Sequence, residues 1–324
     1  MSELRWHPLL EEWVITAMHR QERTFHPPPE YCPLCPTASG GLETEVPEPD
    51  YGIVVFENRF PSLRRDPTGP SVPPAPFSPV RPSKGVCEVV LYTPDHDASL
   101  TTLPLECIEQ LIWVWRDRYA ELSASPEVAY VFIFENRGRE IGVTLSHPHG
   151  QIYAYPFIPP KIEREREAQS RHFAREGRCL LCDMLTYELE SGARIVEVCD
   201  SWVAFVPFFA RYPYEVYLLP RAHRRDLLEL SSAEVADLAF VLKRVLARYD
   251  RLWGFPMPYV MAQHPCPVDG DAYPEWHFHI EFYPPYRTVD KLKYLAGSEL
   301  GAGTYINDTL PEETAHALRA VPID

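Results

Sequence analysis

Two groups of residues in this chain are spaced for chemistry. The first is Ser146-His147-Pro148-His149-Gly150-Gln151, which sets two imidazoles two positions apart and an amide two positions further on. An imidazole with its ordinary pKa of about 6.5 is mostly neutral at neutral pH, so its ring nitrogen keeps a lone pair that can attack phosphorus. The phosphoramidate formed passes readily to an incoming phosphate or hydroxyl. His149 can serve as such a nucleophile, although a lone histidine is more often structural. Gln151 shares its face in an extended segment, and an amide can hydrogen-bond a phosphoryl oxygen without supplying a proton.

The second group is made of thiols and imidazoles. Cys32-Pro33-Leu34-Cys35 and Cys179-Leu180-Leu181-Cys182 are C-x-x-C pairs, a spacing that lets a tight turn aim two thiolates at one Zn²⁺ about 2.3 Å away. Each pair is followed by two histidines, giving Cys32, Cys35, His96 and His147 for one expected site and Cys179, Cys182, His223 and His277 for the other. Four such ligands close a tetrahedron, so both metals would be structural. A disulfide-exchange role is the usual rival, but neither pair sits between a strand and a helix in a βαβ unit. Strand alternation would turn His147 and His149 the same way, and Pro148 between them can splay them. We assign His147 to the metal and His149 to the cleft. The isolated Cys87, Cys107, Cys199 and Cys266 read as small buried apolar side chains.

These residues recur in the same order twice. C-x-x-C is followed by Pro94-Asp95-His96, a helix-like stretch and His147-Pro148-His149, and then again by Pro220-Arg221-Ala222-His223, a helix-like stretch and His277-Phe278-His279. His96 follows Cys35 by 61 residues and His223 follows Cys182 by 41. The longer first gap holds Asp66–Lys84, whose seven prolines exclude helix and central strand and predict an extended surface loop. Duplication of one module explains the order.

Within each module the elements can be read from periodicity. Ile108, Leu111, Ile112, Trp115, Tyr119 and Leu122 form one helical stripe, and Val235, Leu238, Val241, Leu242, Val245, Tyr249 and Leu252 form another, started by a Ser231/Glu234 capping box. Strand-like runs flank them at Val86–Tyr92, Val128–Glu135, Gln151–Phe157, Trp202–Phe208, Tyr214–Leu219 and Phe278–Tyr283. Lys161–Glu176 predicts a charged helix joining the halves. The expected fold class is α+β, a duplicated module with antiparallel sheets and one long helix each, divided as residues 1–165 and 166–324.

Composition narrows the function. A formal charge of −15 over 324 residues disfavours a nucleic-acid partner, and no apolar run is long enough for a membrane helix. The lack of a signal-like start points to the cytoplasm, where the eight cysteines are expected as free thiols or metal ligands.

His-Pro-His-Gly-Gln resembles the active-site motif of the galactose-1-phosphate uridylyltransferases, the two-module branch of the histidine-triad superfamily. Glu135-Asn136-Arg137-Gly138, Pro94-Asp95-His96, Trp276–Pro285 and Pro311–Val321 fall in the order of that family, so the resemblance spans nearly the whole chain. It implies a ping-pong reaction in which UDP-glucose gives its uridylyl group to His149 and releases glucose 1-phosphate, and galactose 1-phosphate then takes the group as UDP-galactose. It also implies Asn136, Thr144 and Gln151 near the α-phosphate, Arg20 and Arg23 near the phosphates, and Asn58 near the ribose. Lys293 and Glu299 match a hexose-binding segment that comes from a neighbouring subunit, which implies a homodimer. Some members hold iron at positions matching Glu165, His264, His279 and Glu281. Here one of those histidines is Glu281, and the Cys179/Cys182 pair offers a zinc site nearby, so iron is possible but not favoured.

Two other readings remain open. One is a related nucleotidyltransferase passing an adenylyl group from ADP-glucose to phosphate. The other is a non-catalytic, zinc-stabilised binding module.

Overall fold

The computed structural model describes residues 2–23, 31–38, 41 and 43–323, with the backbone alone at residues 22 and 23. The chain opens on a hairpin, β1 (Ser2–His7) and β2 (Glu12–Ala17). Next come β3 (Val54–Glu57), β4 (Val80–Pro82), β5 (Val86–Leu91), α1 (Leu105–Ser123), β6 (Tyr130–Arg137) and β7 (His149–Tyr155). Two consecutive helices, α2 (Pro160–Glu176) and α3 (Leu180–Ser191), lead into β8 (Ile195–Val198), β9 (Trp202–Phe205) and β10 (Val216–Pro220). After them stand α4 (Ser232–Leu252), β11 (Tyr259–His264), β12 (His279–Tyr283), the short pair β13 (Tyr286–Thr288) and β14 (Lys291–Leu292), and α5 (Pro311–Ala320).

Nine strands join in one antiparallel sheet of order β3-β5-β7-β6-β11-β12-β10-β9-β8. From the seam between β6 and β11 the order runs β7-β5-β3 one way and β12-β10-β9 the other, so the repeat in the sequence becomes an approximate twofold arrangement in space. At the seam Phe134 lies opposite Ala262 and Asn136 opposite Val260. Each His-x-His segment enters the sheet on the strand beside the seam, at His149 in β7 and at His279 in β12.

The helical stripes cover one face of this sheet. α1 buries Ile108, Leu111, Ile112, Trp115, Tyr119 and Leu122, and α4 buries Val235, Leu238, Val241, Leu242, Val245 and Tyr249 in the same apolar cluster. Leu252 packs half-buried at its edge. At the start of α4 the Ser231 hydroxyl accepts from the Glu234 amide, and the Glu234 carboxylate accepts from the Ser231 amide. Those two bonds satisfy amides that a helix end leaves unpaired, a contribution of about 1 kcal/mol.

Three features differ from the sequence expectation. The proline-rich segment is not wholly irregular: it contributes β4 to a small sheet of order β2-β1-β4, where Pro82 is tolerated because the strand is at an edge. Cys179 caps α3, so the second C-x-x-C is the first turn of a helix that the sequence reading left out. α2 is more than a charged connector, because Ile162 and Gln169 are buried.

Candidate active site and metal centres

β7 begins at His149, which pairs with Leu91 of β5. Alternation places His149, Gln151 and Tyr153 on one face of the sheet and Gly150 and Ile152 on the other. His149 Nδ1 lies 2.7 Å from the His147 carbonyl oxygen. A carbonyl only accepts, so the proton is assigned to Nδ1 and the ring's lone pair to Nε2. The imidazole is half-buried.

Gln151 is buried, and its Oε1 accepts from Asn58 Nδ2 at 3.3 Å and from the Tyr153 hydroxyl at 3.4 Å. Its amide hydrogens remain the donors it can aim at a ligand. Arg20 Nη1 donates to the Tyr153 hydroxyl at 3.2 Å and to the Ser62 hydroxyl, which ties the guanidinium to the same network. On β6 the register Phe134 opposite Gln151 brings Asn136, two residues on, level with His149. Thr144 is half-buried in the loop before His147. The structure thus brings His149, Gln151, Asn58, Asn136 and Arg20 to one end of the sheet. The Arg23 side chain lies outside the described residues. Lys293 and Glu299 meet each other at 3.1 Å, and Lys293 also donates to the Ile306 carbonyl. That pair belongs to the C-terminal segment rather than to the His149 network. Sequence reasoning missed Tyr153, although its position two residues beyond Gln151 put it on the same face.

The eight expected metal ligands gather as two foursomes, with the ligand atoms of each set all within 4.8 Å of one another. Cys35 Sγ is 3.5 Å from both His96 Nδ1 and His147 Nδ1. In the second set Cys182 Sγ is 3.5 Å from His223 Nδ1 and 3.4 Å from His277 Nδ1, and Cys179 Sγ is 3.7 Å from His277 Nδ1. A tetrahedral zinc with bonds of about 2.3 Å to sulfur and 2.0–2.1 Å to nitrogen requires sulfur–nitrogen separations of roughly 3.5 Å.

In three of the four rings, those of His147, His223 and His277, a carbonyl at the far nitrogen fixes the near one. His147 Nε2 lies 2.8 Å from the Thr93 carbonyl and 2.9 Å from the Tyr51 hydroxyl, and His96 Nε2 lies 3.0 Å from the Ser146 hydroxyl. His223 and His277 Nε2 lie 2.9 and 3.0 Å from the Pro274 and Pro220 carbonyls. An Nε2–H donating to a carbonyl leaves the Nδ1 lone pair facing the thiols, as a ligating histidine needs. The thiols alone repel. Burial and the neighbouring Cys32 push Cys35 up to about 12. In the other pair hydrogen bonding from Cys182 pulls Cys179 down to about 2, so only one thiol of that pair ionises readily. A divalent cation would relieve both conflicts. The residues present therefore fit a metal at both places.

Glu165, His264, His279 and Glu281 form a third group of donors. His264 Nδ1 is 2.8 Å from Glu165 Oε2, and His264 Nε2 is 3.5 Å from Glu281 Oε2. Here the protein supplies cations of its own. Lys161 Nζ bonds to Glu281 Oε2 and the Tyr283 hydroxyl and stands 3.6 Å from Glu165 Oε1, while Arg211 Nη2 lies 3.5 Å from Glu281 Oε2. Although complete burial works to raise it, the charges of His264 and Lys161 hold the Glu281 carboxyl well below the usual range. An ammonium already seated on the ligand carboxylates fits an added iron poorly.

Comparison with known proteins agrees over the full length. Residues 1–159 match the family described as galactose-1-phosphate uridyl transferase, N-terminal domain, and residues 165–324 match its C-terminal domain. A galactose-1-phosphate uridylyltransferase of Thermotoga maritima is 45% identical over 330 residues, covering 100% of both chains. A solved uridylyltransferase structure superposes with a TM-score of 0.87 at 36% identity, covering 98% of this chain and 97% of the other. More distantly, an ADP-glucose phosphorylase of Arabidopsis thaliana is 27% identical over 99% of this chain and 93% of its own.

Proposed function

The chain belongs to the galactose-1-phosphate uridylyltransferase family of nucleotidyltransferases, and from that premise we propose that His149 carries the uridylyl group between two sugar phosphates. UDP-glucose donates the group and galactose 1-phosphate receives it. In the first step His149 Nε2 attacks the α-phosphorus, the P–N bond forms, and the bond to the glucose 1-phosphate oxygen breaks. In the second step galactose 1-phosphate attacks the same phosphorus and the P–N bond breaks, giving UDP-galactose. Because each leaving or entering oxygen already belongs to a phosphate, no strong acid is needed at position 151. Gln151, Asn136 and Thr144 serve as fixed donors to the charge that develops on the α-phosphoryl oxygens. Arg20 and Arg23 balance the phosphate charge, and Asn58, bonded to Gln151, reaches the ribose.

The observation that carries this reading is the His149 Nδ1 bond to the His147 carbonyl, which leaves the lone pair on the opposite nitrogen of a half-buried ring. Zinc at Cys32, Cys35, His96 and His147, and at Cys179, Cys182, His223 and His277, stabilises the two loops and takes no part in bond making. Residues 1–165 and 166–324 read as two copies of one module, with α2 crossing between them. Lys293 and Glu299 serve hexose binding in the partner of a homodimer, a role supported by exposed apolar residues around them, Tyr294, Leu300 and Ile306. Among the described residues no helix is long and apolar enough to cross a membrane, and all eight cysteines are free, which suits a reducing cytoplasm.

Glucose 1-phosphate release from UDP-glucose, compared with release from ADP-glucose, tests the substrate assignment. Release that is fast with UDP-glucose and completed by galactose 1-phosphate supports it. Faster release from ADP-glucose, with inorganic phosphate as the acceptor, would assign the protein to adenylyl transfer instead.

A further inference from the structure

Behind the nucleophile, on the helix-covered side of the sheet, lies a carboxyl group with no part in the chemistry so far. Glu135 of β6 points into the apolar layer beneath α1 and α4 and is only 6% exposed. Two phenols reach it from the strands β5 leads out of and β11. Its Oε2 accepts from the Tyr92 hydroxyl at 3.2 Å, and its Oε1 accepts from the Tyr259 hydroxyl at 2.9 Å. The other charged groups facing it are Arg137 on its own strand and Asp250 of α4, and these two form a bidentate pair at 2.7 and 3.0 Å. Burial pushes the Glu135 carboxyl up to about 7, against the pull of both phenols and Arg137.

Tyr92 touches the nucleophile's segment at two points. Its backbone N–H donates to the Pro148 carbonyl at 3.2 Å. Its hydroxyl fills the space where residue 150 would carry a side chain, since a Cβ added at Gly150 would lie 2.3 Å from the Tyr92 hydroxyl oxygen. The glycine of His-Pro-His-Gly-Gln is therefore the contact point between the reactive strand and a buried phenol. The strand ladder sets Gly150 opposite Val90, and the phenol packs against it from the helix-covered side.

We propose that Glu135 is a positioning residue for His149. By gripping the Tyr92 hydroxyl it fixes residues 148–150, and with them the direction in which His149 Nε2 points. This rests on the reading of His149 as the nucleophile. Accepting one phenol on each oxygen, at 3.2 and 2.9 Å, the carboxyl ties Tyr92 to Tyr259 across the sheet and limits how far the Tyr92 ring can move. The gain in precision matters because misplacing a reacting group by about 1 Å costs on the order of a hundredfold in rate.

The test compares the full-length, metal-loaded wild type with Glu135→Gln and Tyr92→Phe. For each protein the measurements are single-turnover uridylylation by UDP-glucose, kcat and KM for both substrates, metal content and melting temperature. In both variants kcat should fall about tenfold or more while KM stays within about twofold and metal content is unchanged, the signature of a lost transition-state alignment rather than lost binding. Wild-type rates in both folded variants would overturn the role. So would rates that fall only in proportion to the protein unfolded or the metal lost. Tyr92→Phe leaves the carboxyl in place, so it carries the test should Glu135→Gln fail to fold. If the wild type itself acquires no uridylyl group on His149, it is the nucleophile assignment that fails, an outcome distinct from undiminished rates in the variants.

Discussion

At the scale of single residues the neighbourhood of His149 is a network of mostly neutral hydrogen-bonding groups. Gln151 is buried with its oxygen engaged by Asn58 and Tyr153, and Tyr153 is in turn held by Arg20. Gln151→Arg would set a second guanidinium beside Arg20 in a buried space. We expect that variant to fold, to keep its metals and to lose turnover by roughly a hundredfold, because a fixed cation would over-stabilise the covalent phosphoryl state and crowd the substrate. Steady-state kinetics beside a melting curve check this. Glu135 makes a different prediction. Its pKa rises from the ordinary 4.5 to about 7 on folding, so between those values the native state holds a proton that the unfolded state has released. Stability contributed by the protonated form is present at low pH and is lost as pH rises toward 7, by up to ~3 kcal/mol before relaxation and bound water reduce it. Glu135→Gln should remove that slope, becoming more stable relative to wild type as pH is raised from about 5 to about 8. Denaturant melts across that range read the sign directly. None of this was legible as function in Phe132–Arg137, although alternation already put Glu135 on the same side as Val131 and Ile133, an unusual place for a carboxylate.

At the scale of elements, what could be read ahead of the structure was whatever leaves a mark in residue type. The candidate metal ligands are thiols and imidazoles, residue types whose repeated order is visible in the sequence. The long helices α1 and α4 showed through their apolar stripes. β11 did not: Tyr259–His264 is buried on both faces except for half-buried Val260, and so carries no alternation to detect. α3 was hidden because its first turn is also a ligand pair, Cys179 and Cys182. Of the inward polar stripe of α2, Lys161, Glu165 and Gln169 at i, i+4 and i+8, only Glu165 was reached, through the family resemblance; Lys161 and Gln169 escaped because their partners lie far off in the chain. Gln169 Oε1 accepts from the His277 amide at 3.2 Å, and Lys161 reaches β12. The candidate metal sites lie where loops join such elements. Cys32→Ser should lose about one metal ion per chain, with a fall in melting temperature of several degrees. Metal analysis alongside calorimetry checks whether the two losses occur together, and full stability in the metal-depleted variant would count against a structural ion there.

At the scale of the whole molecule the approximate twofold sets two histidines in nearly equivalent positions. His149 and His279 each lie within 3.0 Å of the carbonyl two residues earlier, through Nδ1. Their surroundings differ. His279 is 3% exposed, stacks with Tyr217 at 5.8 Å between ring centres, and faces Glu281, which Lys161 and Arg211 cover. His149 is half-buried on the open end of its strand and has neutral Gln151 in place of Glu281. The repeat itself was readable from the order of motifs, but the difference between its halves was not, because it arises from contacts between α2, the loop at Arg211 and β12. The direct measurement is intact-mass and peptide mapping of the metal-replete protein after incubation with UDP-glucose. The structure predicts one acid-labile uridylyl group per chain on His149, discharged as UDP-galactose by galactose 1-phosphate and absent from His149→Ala with both metals retained. An adduct that persists in His149→Ala, or resides on His279, or never forms in the folded wild type, would contradict it.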